Sequence, residues 1–318
     1  MKSKDQSSLA VKVSRLYFYQ GLTTETIASE LKLSRSAVSR LLTFARQSGL
    51  VEIRVHDPQH QPQELEQAIR ERFGLKKVSV VSVPPNAREE DWLERVASFA
   101  AGHLNGLIHS DLTVGVAWGS TLDAISRALT PKHCARVNIV QLTGSSSTEA
   151  VNNYYTSEIY TRFAENYGAH AYLFPVPAFF DYPETKRAMW RERSIQEVVG
   201  RVRKADLLVY SVGVHNSRLP SYIYLAGYLN PKDFREFDKE KVVGNIATMF
   251  FRADGSFEGI PLNERASGPD LSLIRRARHA LCVVSGLGKV NALRGALLGR
   301  LMTELIVDEP TAHALMRE

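Results

Sequence analysis

The chain has 318 residues, 44 % of them hydrophobic and 23 % charged, with a formal net charge of +6. This length suits one small and one large domain, and the composition is that of a globular chain that buries a core, not of a disordered or fibrous one. Two distant cysteines, Cys134 and Cys282, sit outside any CxxC pair, which argues against a disulfide framework or a thiolate zinc site and for the reducing cytoplasm. The first residues lack the apolar core of a signal peptide, and no apolar run reaches membrane-spanning length.

The positive charge is concentrated at the start. Residues 1–55 hold nine lysines and arginines against Asp5, Glu25, Glu30 and Glu52, so that segment carries +5 and the rest only +1. A local field of this kind suits a polyanion such as DNA, because each neutralised phosphate releases counterions. A solvated basic face is the plainer reading of charge alone.

Residues 9–20 place Leu9, Val13, Leu16 and Tyr17 at helical spacing, and Gly21 ends the helix. Thr23 then reads as an N-cap before a short helix that turns Ile27, Ala28 and Leu31 inward. After the turn at Lys32-Leu33, Ser34 caps a second helix with Val38, Leu41, Leu42 and Ala45 on its buried face and Arg35, Ser36, Ser39 and Arg40 on its polar face. Gly49 closes it, and the alternation of Val51, Ile53 and Val55 predicts a short strand, a wing. Two short helices in this arrangement form a helix-turn-helix. Arginine can bond guanine in bidentate fashion and serine can reach base edges, while Thr24 and Arg54 are placed for the DNA backbone. An ordinary helical hairpin is the alternative.

Pro58 and Pro62 mark a linker, so the domains are expected at residues 1–57 and 58–318. A helix over 63–73 ends at Gly74. Beyond it strands alternate with helices. Strands are predicted at 78–83, 112–117, 137–142, 170–174, 206–212, 247–251, 279–284 and 304–307, and helices at 90–107, 121–129, 151–166, 185–200 and 289–301. Such alternation predicts an α/β, Rossmann-like domain with a largely parallel sheet, whose ligands bind beyond the carboxyl ends of the strands.

Several loops fall at that edge. The strand in TVGVAWGSTLDAI runs into Gly119, Ser120 and Thr121 at the start of a helix, where free backbone N–H groups and hydroxyls can hold a phosphate or another anion. A plain N-cap is the alternative. Gly144 and Ser145 follow a second strand, Gly213 a third, and Gly286 and Gly288 a fourth. Lys289 sits at the start of a helix, where the dipole disfavours a cation and an anionic partner would compensate.

The ordered motifs VGVAWGSTL, QLTG, ADLLVYSVG, VVGNIATMFFRADGS, ALCVVSGLGK and LIVDEPTAHAL resemble, nearly end to end, the SorC-type sugar-binding transcriptional regulators, which include deoxyribonucleoside and glycolytic regulators. The resemblance implies a large domain like the sugar-phosphate isomerases and glucosamine-6-phosphate deaminases, a phosphorylated sugar as small-molecule effector with no other cofactor, and a homo-oligomer, dimer or tetramer, on a double-stranded DNA operator. It further implies that Gly119, Ser120 and Thr121 hold the phosphate, that Lys289 lies near sugar or phosphate, and that Gly144 and Gly213 shape the pocket floor. The chain departs from such regulators at Asn245, where Gly-Asp is frequent, and at Arg252, where an acid follows the Phe-Phe pair. Asn245 can donate to and accept from a sugar hydroxyl but supplies no charge, which leaves room for an unphosphorylated sugar or polyol.

The rival reading is a sugar-phosphate isomerase or deaminase with a DNA-binding arm. Its chemistry needs a positioned acid or base. The nearest candidate, His215 in Gly213-Val214-His215-Asn216, lacks the Asp-Gly-His pattern of the deaminases, and Glu149, Glu158 and Asp181 cannot be placed from sequence. The expectation is a regulator, a repressor of a carbohydrate-utilisation operon, and no enzyme.

Overall fold

The structure is a computed structural model and describes residues 3–51, 62–84, 86–145, 150–214, 222–225 and 228–317. The chain divides into two compact units, the smaller made of residues 1–59 with Thr130–Lys132 and the larger of residues 60–129 and 133–318.

Among its described residues the smaller unit holds the α-helices α1 (Ser3–Ser14), α2 (Thr24–Glu30) and α3 (Arg35–Gln47). The backbone dihedrals of Thr23 and Ser34 are extended, and their hydroxyls accept the N–H groups of Thr26 and Ala37, so both predicted N-caps are in place. Lys32, in the turn between α2 and α3, takes a left-handed φ of 51°. Ala10, Val13, Ile27, Ala28, Val38, Leu41, Leu42 and Ala45 make the core. One expectation fails here. After α1 the chain widens into a single π-type turn, Arg15–Tyr19, which shifts the phase of the apolar stripe, so Tyr17 faces outward with Phe18 and Tyr19. Val51 is bound back to the carbonyl of Ala45. The rest of the expected wing, with Arg54, lies outside the described residues.

The larger unit opens with α4 (Pro62–Phe73), β1 (Lys77–Val81), α5 (Glu89–Leu107), β2 (Thr113–Val116), α6 (Ser120–Ala128), β3 (Asn138–Gln141), α7 (Ala150–Tyr167) and β4 (His170–Tyr172). It continues through α8 (Pro183–Met189), α9 (Arg193–Arg203), β5 (Leu207–Tyr210), β6 (Val212–Gly213), α10 (Tyr222–Leu225) and α11 (Pro231–Glu240). The last part holds β7 (Val242–Ile246), β8 (Met249–Arg252), α12 (Pro261–Arg265), α13 (Leu271–Arg276), β9 (Ala280–Val284), α14 (Val290–Leu298), β10 (Glu304–Asp308) and α15 (Glu309–Arg317). Seven strands form one sheet in the order β1-β10-β9-β5-β2-β3-β4, every pair parallel. The strands β5, β9 and β10 are buried along their whole length, as a sheet covered on both faces requires.

The α/β class with a parallel sheet is thus as read from the alternation, and three local expectations are corrected. The strand expected at 206–212 is two: β5 stays in the main sheet, while β6 leaves it to pair antiparallel with β7. The strand expected at 247–251 begins inside a turn. Ala247 and Thr248 have positive φ, 46° and 68°, and join β7 to β8 as a hairpin. No glycine advertises that turn, so its sequence signal is weak. The helix expected at 185–200 is broken between Met189 and Arg193 into α8 and α9.

Candidate functional site

The carboxyl ends of the central strands converge on one pocket. After β2, Ala117 and Trp118 lead to Gly119, whose φ of 140° delivers the chain to the first turn of α6. Ser120 and Thr121 begin that helix and line the pocket. Ser211 follows β5, Gly213 ends β6, and Asn245 comes from β7. Lys289 ends a short 3-10 turn, Leu287–Lys289, between β9 and α14. Its ammonium lies 3.5 Å from both Thr121 Oγ1 and Ser211 Oγ, and those hydroxyls are 3.3 Å apart. Three residues far apart in sequence therefore meet around one point beside the start of α6.

The electrostatics of this point are set by burial. Lys289 has its pKa lowered because the ammonium is largely desolvated; Cys282, Asp308 and Glu89 act in the opposite direction. The Cys282 thiol beneath it is fully buried, and desolvation pushes it up to about 12, so it stays protonated. Among the described lining residues, none is a carboxylate. The lining offers hydroxyls, one amide and one amine, together with N–H groups at a helix start, a set that receives an anion well. The interior reachable by water is about 40 Å3.

Of the ten residues singled out for the effector, Gly119, Ser120, Thr121, Gly213, Asn245 and Lys289 line this pocket. Gly144, Ser145, Gly286 and Gly288 do not line it. Gly144 donates its N–H to Ser267 Oγ and receives Trp118 Nε1 on its carbonyl; a Cβ there would come within 2.2 Å of the Val176 carbonyl. The Ser145 carbonyl accepts from Tyr228 Oη, and its hydroxyl accepts from Gln141 Nε2. Gly286, at φ 106°, donates its N–H to Asp308 Oδ2 at 2.9 Å, and Gly288 is exposed. Asn245 Nδ2 donates to Tyr224 Oη at 2.9 Å. Arg252 is turned away from the pocket: it grips Glu240 through Oε2 and the main-chain carbonyl and also donates to the carbonyl of Glu258.

The loops after two strands, 141–145 and 211–216, are expected at the ligand edge of the sheet from sequence, and Thr143 and Ser211 from them line the pocket; Thr248 and Ile223 carry no such signal. Ser211 directly follows β5 and Thr143 lies two residues beyond β3; Thr248 sits in the unforeseen turn. Neither Glu158, which pairs with Arg162 in α7, nor Asp181 lines the pocket. His215 and Glu149 lie outside the described residues. Among the described residues no group of three His, Cys, Asp or Glu side chains could hold a metal ion, and no helix is long and apolar enough to cross a membrane.

In the smaller unit, α3 presents Arg35, Ser36, Ser39 and Arg40 to solvent. The Arg35 guanidinium comes only within 3.9 Å of Glu25, with both side chains largely exposed, so it is available to a ligand. Thr24, the first residue of α2, is half-buried.

A helix-turn-helix followed by a parallel α/β unit with a polar pocket at its strand ends defines the chain as a sugar-binding transcriptional regulator. It belongs to the family of the sugar-binding domain, whose profile matches residues 57–317, while the profile of sigma-70 region 4, a helix-turn-helix, matches residues 12–48. Over 315 residues, and 99 % of both chains, it is 30 % identical to the deoxyribonucleoside regulator of Bacillus subtilis. It is 24 % identical over its whole length to the sorbitol operon regulator of Klebsiella pneumoniae. Among solved structures, the full-length Klebsiella SorC protein superposes with a TM-score of 0.77 over 97 % of this chain and 98 % of that one, at 24 % identity. A domain described as that of a possible sugar-binding transcriptional regulator from Arthrobacter aurescens TC1 is 42 % identical, with a TM-score of 0.75 over 82 % of this chain and 99 % of that one.

Proposed function

We propose that this regulator is a cytoplasmic repressor of a carbohydrate-utilisation operon, released by a phosphorylated sugar bound at the pocket of Gly119, Ser120, Thr121 and Lys289. The observation that carries the reading is the approach of Lys289 Nζ to Thr121 and Ser211 beside the start of α6, in a lining without a described carboxylate. A half-buried cation next to free helix N–H groups gains most from a dianionic phosphate. Gly213 and Asn245 then face the sugar, where Asn245 can exchange hydrogen bonds with a hydroxyl. Gly144 and Gly286 hold the adjoining loops through Ser267 and Asp308, while Ser145 and Gly288 flank them.

The small unit reads DNA through Arg35, Ser36, Ser39 and Arg40 on α3, with Thr24 and Arg54 on phosphates. Recognition of paired half-sites calls for a homo-oligomer, a dimer or tetramer. Effector binding changes DNA affinity by as much as the effector prefers one placement of the reading helices over another.

The test is thermal unfolding of the full chain against a panel of sugars, polyols and their phosphates. A ligand at 100 times its Kd adds about 2.7 kcal/mol, which moves the midpoint visibly. A shift given by a sugar phosphate, absent with the unphosphorylated sugar and lost in Lys289→Ala and Thr121→Ala, is the expected result. A shift by an unphosphorylated sugar or polyol that survives Lys289→Ala would contradict the phosphate role.

A further inference from the structure

The larger unit contains a second cavity, separate from the pocket. Its interior is about 530 Å3 against about 40 Å3, within the range of small-molecule sites. It opens between α8 and α9 on one side and β8, α12 and α13 on the other. Phe174, Trp190, Met249 and Phe257 give it an apolar wall. Lys186 reaches in from α8: its ammonium donates to the carbonyl of Asn263 at 3.3 Å and lies 5.4 Å from the centre of the Trp190 ring. Half-buried beside those rings, Lys186 has its pKa lowered by desolvation, with Glu264 and Asp270 acting in the opposite direction.

The charges at the cavity select the chemistry of its occupant. Lys186 and Arg203 face Glu258, Glu264 and Asp270, an excess of one negative charge, so an anion has no net attraction there. A neutral ring with hydroxyl groups does: its C–H faces meet the apolar wall, and its hydroxyls accept from the ammonium and donate to the carboxylates. We propose that this cavity is a second ligand site, for an uncharged hydroxylated ring compound, an unphosphorylated sugar or a nucleoside.

The cavity and the effector pocket share a wall. Ser267 lines the cavity; its hydroxyl donates to the Ala178 carbonyl at 3.0 Å, accepts the Gly144 N–H at 2.9 Å and lies 2.9 Å from Thr143 Oγ1. Gly268 donates its N–H to Thr248 Oγ1 at 3.1 Å. Thr143 and Thr248, themselves 3.0 Å apart, line the pocket. There is no slack in this wall, because a Cβ on Gly268 would come within 1.9 Å of the Ala247 carbonyl. An occupant that displaces Ser267 or Gly268 therefore displaces the pocket lining as well. The site itself stands without the effector reading, and only this coupling rests on it.

The experiment is isothermal titration of the full chain with D-ribose, 2-deoxy-D-ribose, D-glucose, adenosine and thymidine, repeated in Lys289→Ala, Lys186→Met and Glu264→Gln, with each variant's fold checked by circular dichroism. At least one probe is expected to bind the parent chain and Lys289→Ala with equal affinity and to lose about tenfold or more in Lys186→Met, since a hydrogen bond to a charged group is removed. A smaller loss is expected in the exposed Glu264→Gln, which keeps the result readable if Lys186→Met unfolds. Binding by adenosine or thymidine alone identifies the nucleoside class, and binding by the free sugars identifies the sugar class. No binding by any probe at millimolar concentration, or binding lost in Lys289→Ala and kept in Lys186→Met and Glu264→Gln, overturns the proposal.

Discussion

Asp308 receives the backbone N–H of Gly286 on Oδ2 at 2.9 Å, across 22 residues, and uses the same oxygen for the Thr311 hydroxyl and Oδ1 for the Thr311 N–H. It has no solvent exposure. One carboxylate thus caps α15 and pins the loop that carries Lys289, whose charge it also favours.

Asp308→Asn keeps the size but turns one acceptor into a donor that faces existing donors. A buried group left without a partner costs about 1–3 kcal/mol. Urea denaturation should show that loss, and titration should show weaker sugar-phosphate binding, because Gly286 and Lys289 are no longer held. A variant as stable as the parent would show that the three bonds add nothing.

The two caps of the small unit give a second prediction. Thr23→Ala and Ser34→Ala each remove the acceptor for a helix N–H and should cost about 1 kcal/mol. Thermal unfolding of the full chain should show the small unit melting earlier and the large unit unchanged.

DNA binding should depend on Arg35 and Arg40 without depending on them for folding. Arg35→Ala with Arg40→Ala should abolish specific binding in a gel-shift assay. Loss of any phosphate contact would lower the slope of log K against log salt by about 0.9. Unchanged affinity for the operator would remove the reading role of α3.

Glu304, at the start of β10, accepts from His279 at 2.9 Å and pairs with His103 at 3.6 Å. The close approach of His103, the larger influence, together with the hydrogen bond from His279 outweighs desolvation and holds its pKa at about 2, below the usual 4.5. A carboxylate with a depressed folded-state pKa contributes stability above its unfolded-state pKa and loses it as the pH falls. This contribution should be complete near neutrality, decline below about pH 5 and vanish near pH 2. Glu304→Gln should flatten the acid limb of a stability–pH curve; an unaltered limb would contradict the assignment.

Much of this molecule was legible in the sequence because its local signals agree with its tertiary environment. Thr23 and Ser34 cap the helices they precede, and Gly119 to Thr121 end a buried strand and open a helix. What stayed hidden depends on contacts across long sequence separations. Asp308 reads as one more residue of a motif until Gly286 is brought against it. Arg252, noted for its departure from related chains, is spent on Glu240 and the hairpin. The turn at Ala247 and Thr248 holds left-handed backbone without the residues that usually signal it. Tyr17 leaves the apolar stripe because one π-type turn breaks the 3.6-residue period.

The central claim is that a ligand at the Lys289 pocket governs DNA binding, and fluorescence anisotropy tests it most directly. Full chain would be titrated onto an operator selected from random duplexes, with and without a sugar phosphate that stabilises the protein. The expected result is a change in DNA affinity of about 5-fold or more, within the usual range of such coupling, that disappears in Lys289→Ala while the variant's DNA affinity without ligand stays at the parent value. A DNA affinity unmoved by every sugar phosphate that stabilises the chain, or moved equally in Lys289→Ala, would contradict it.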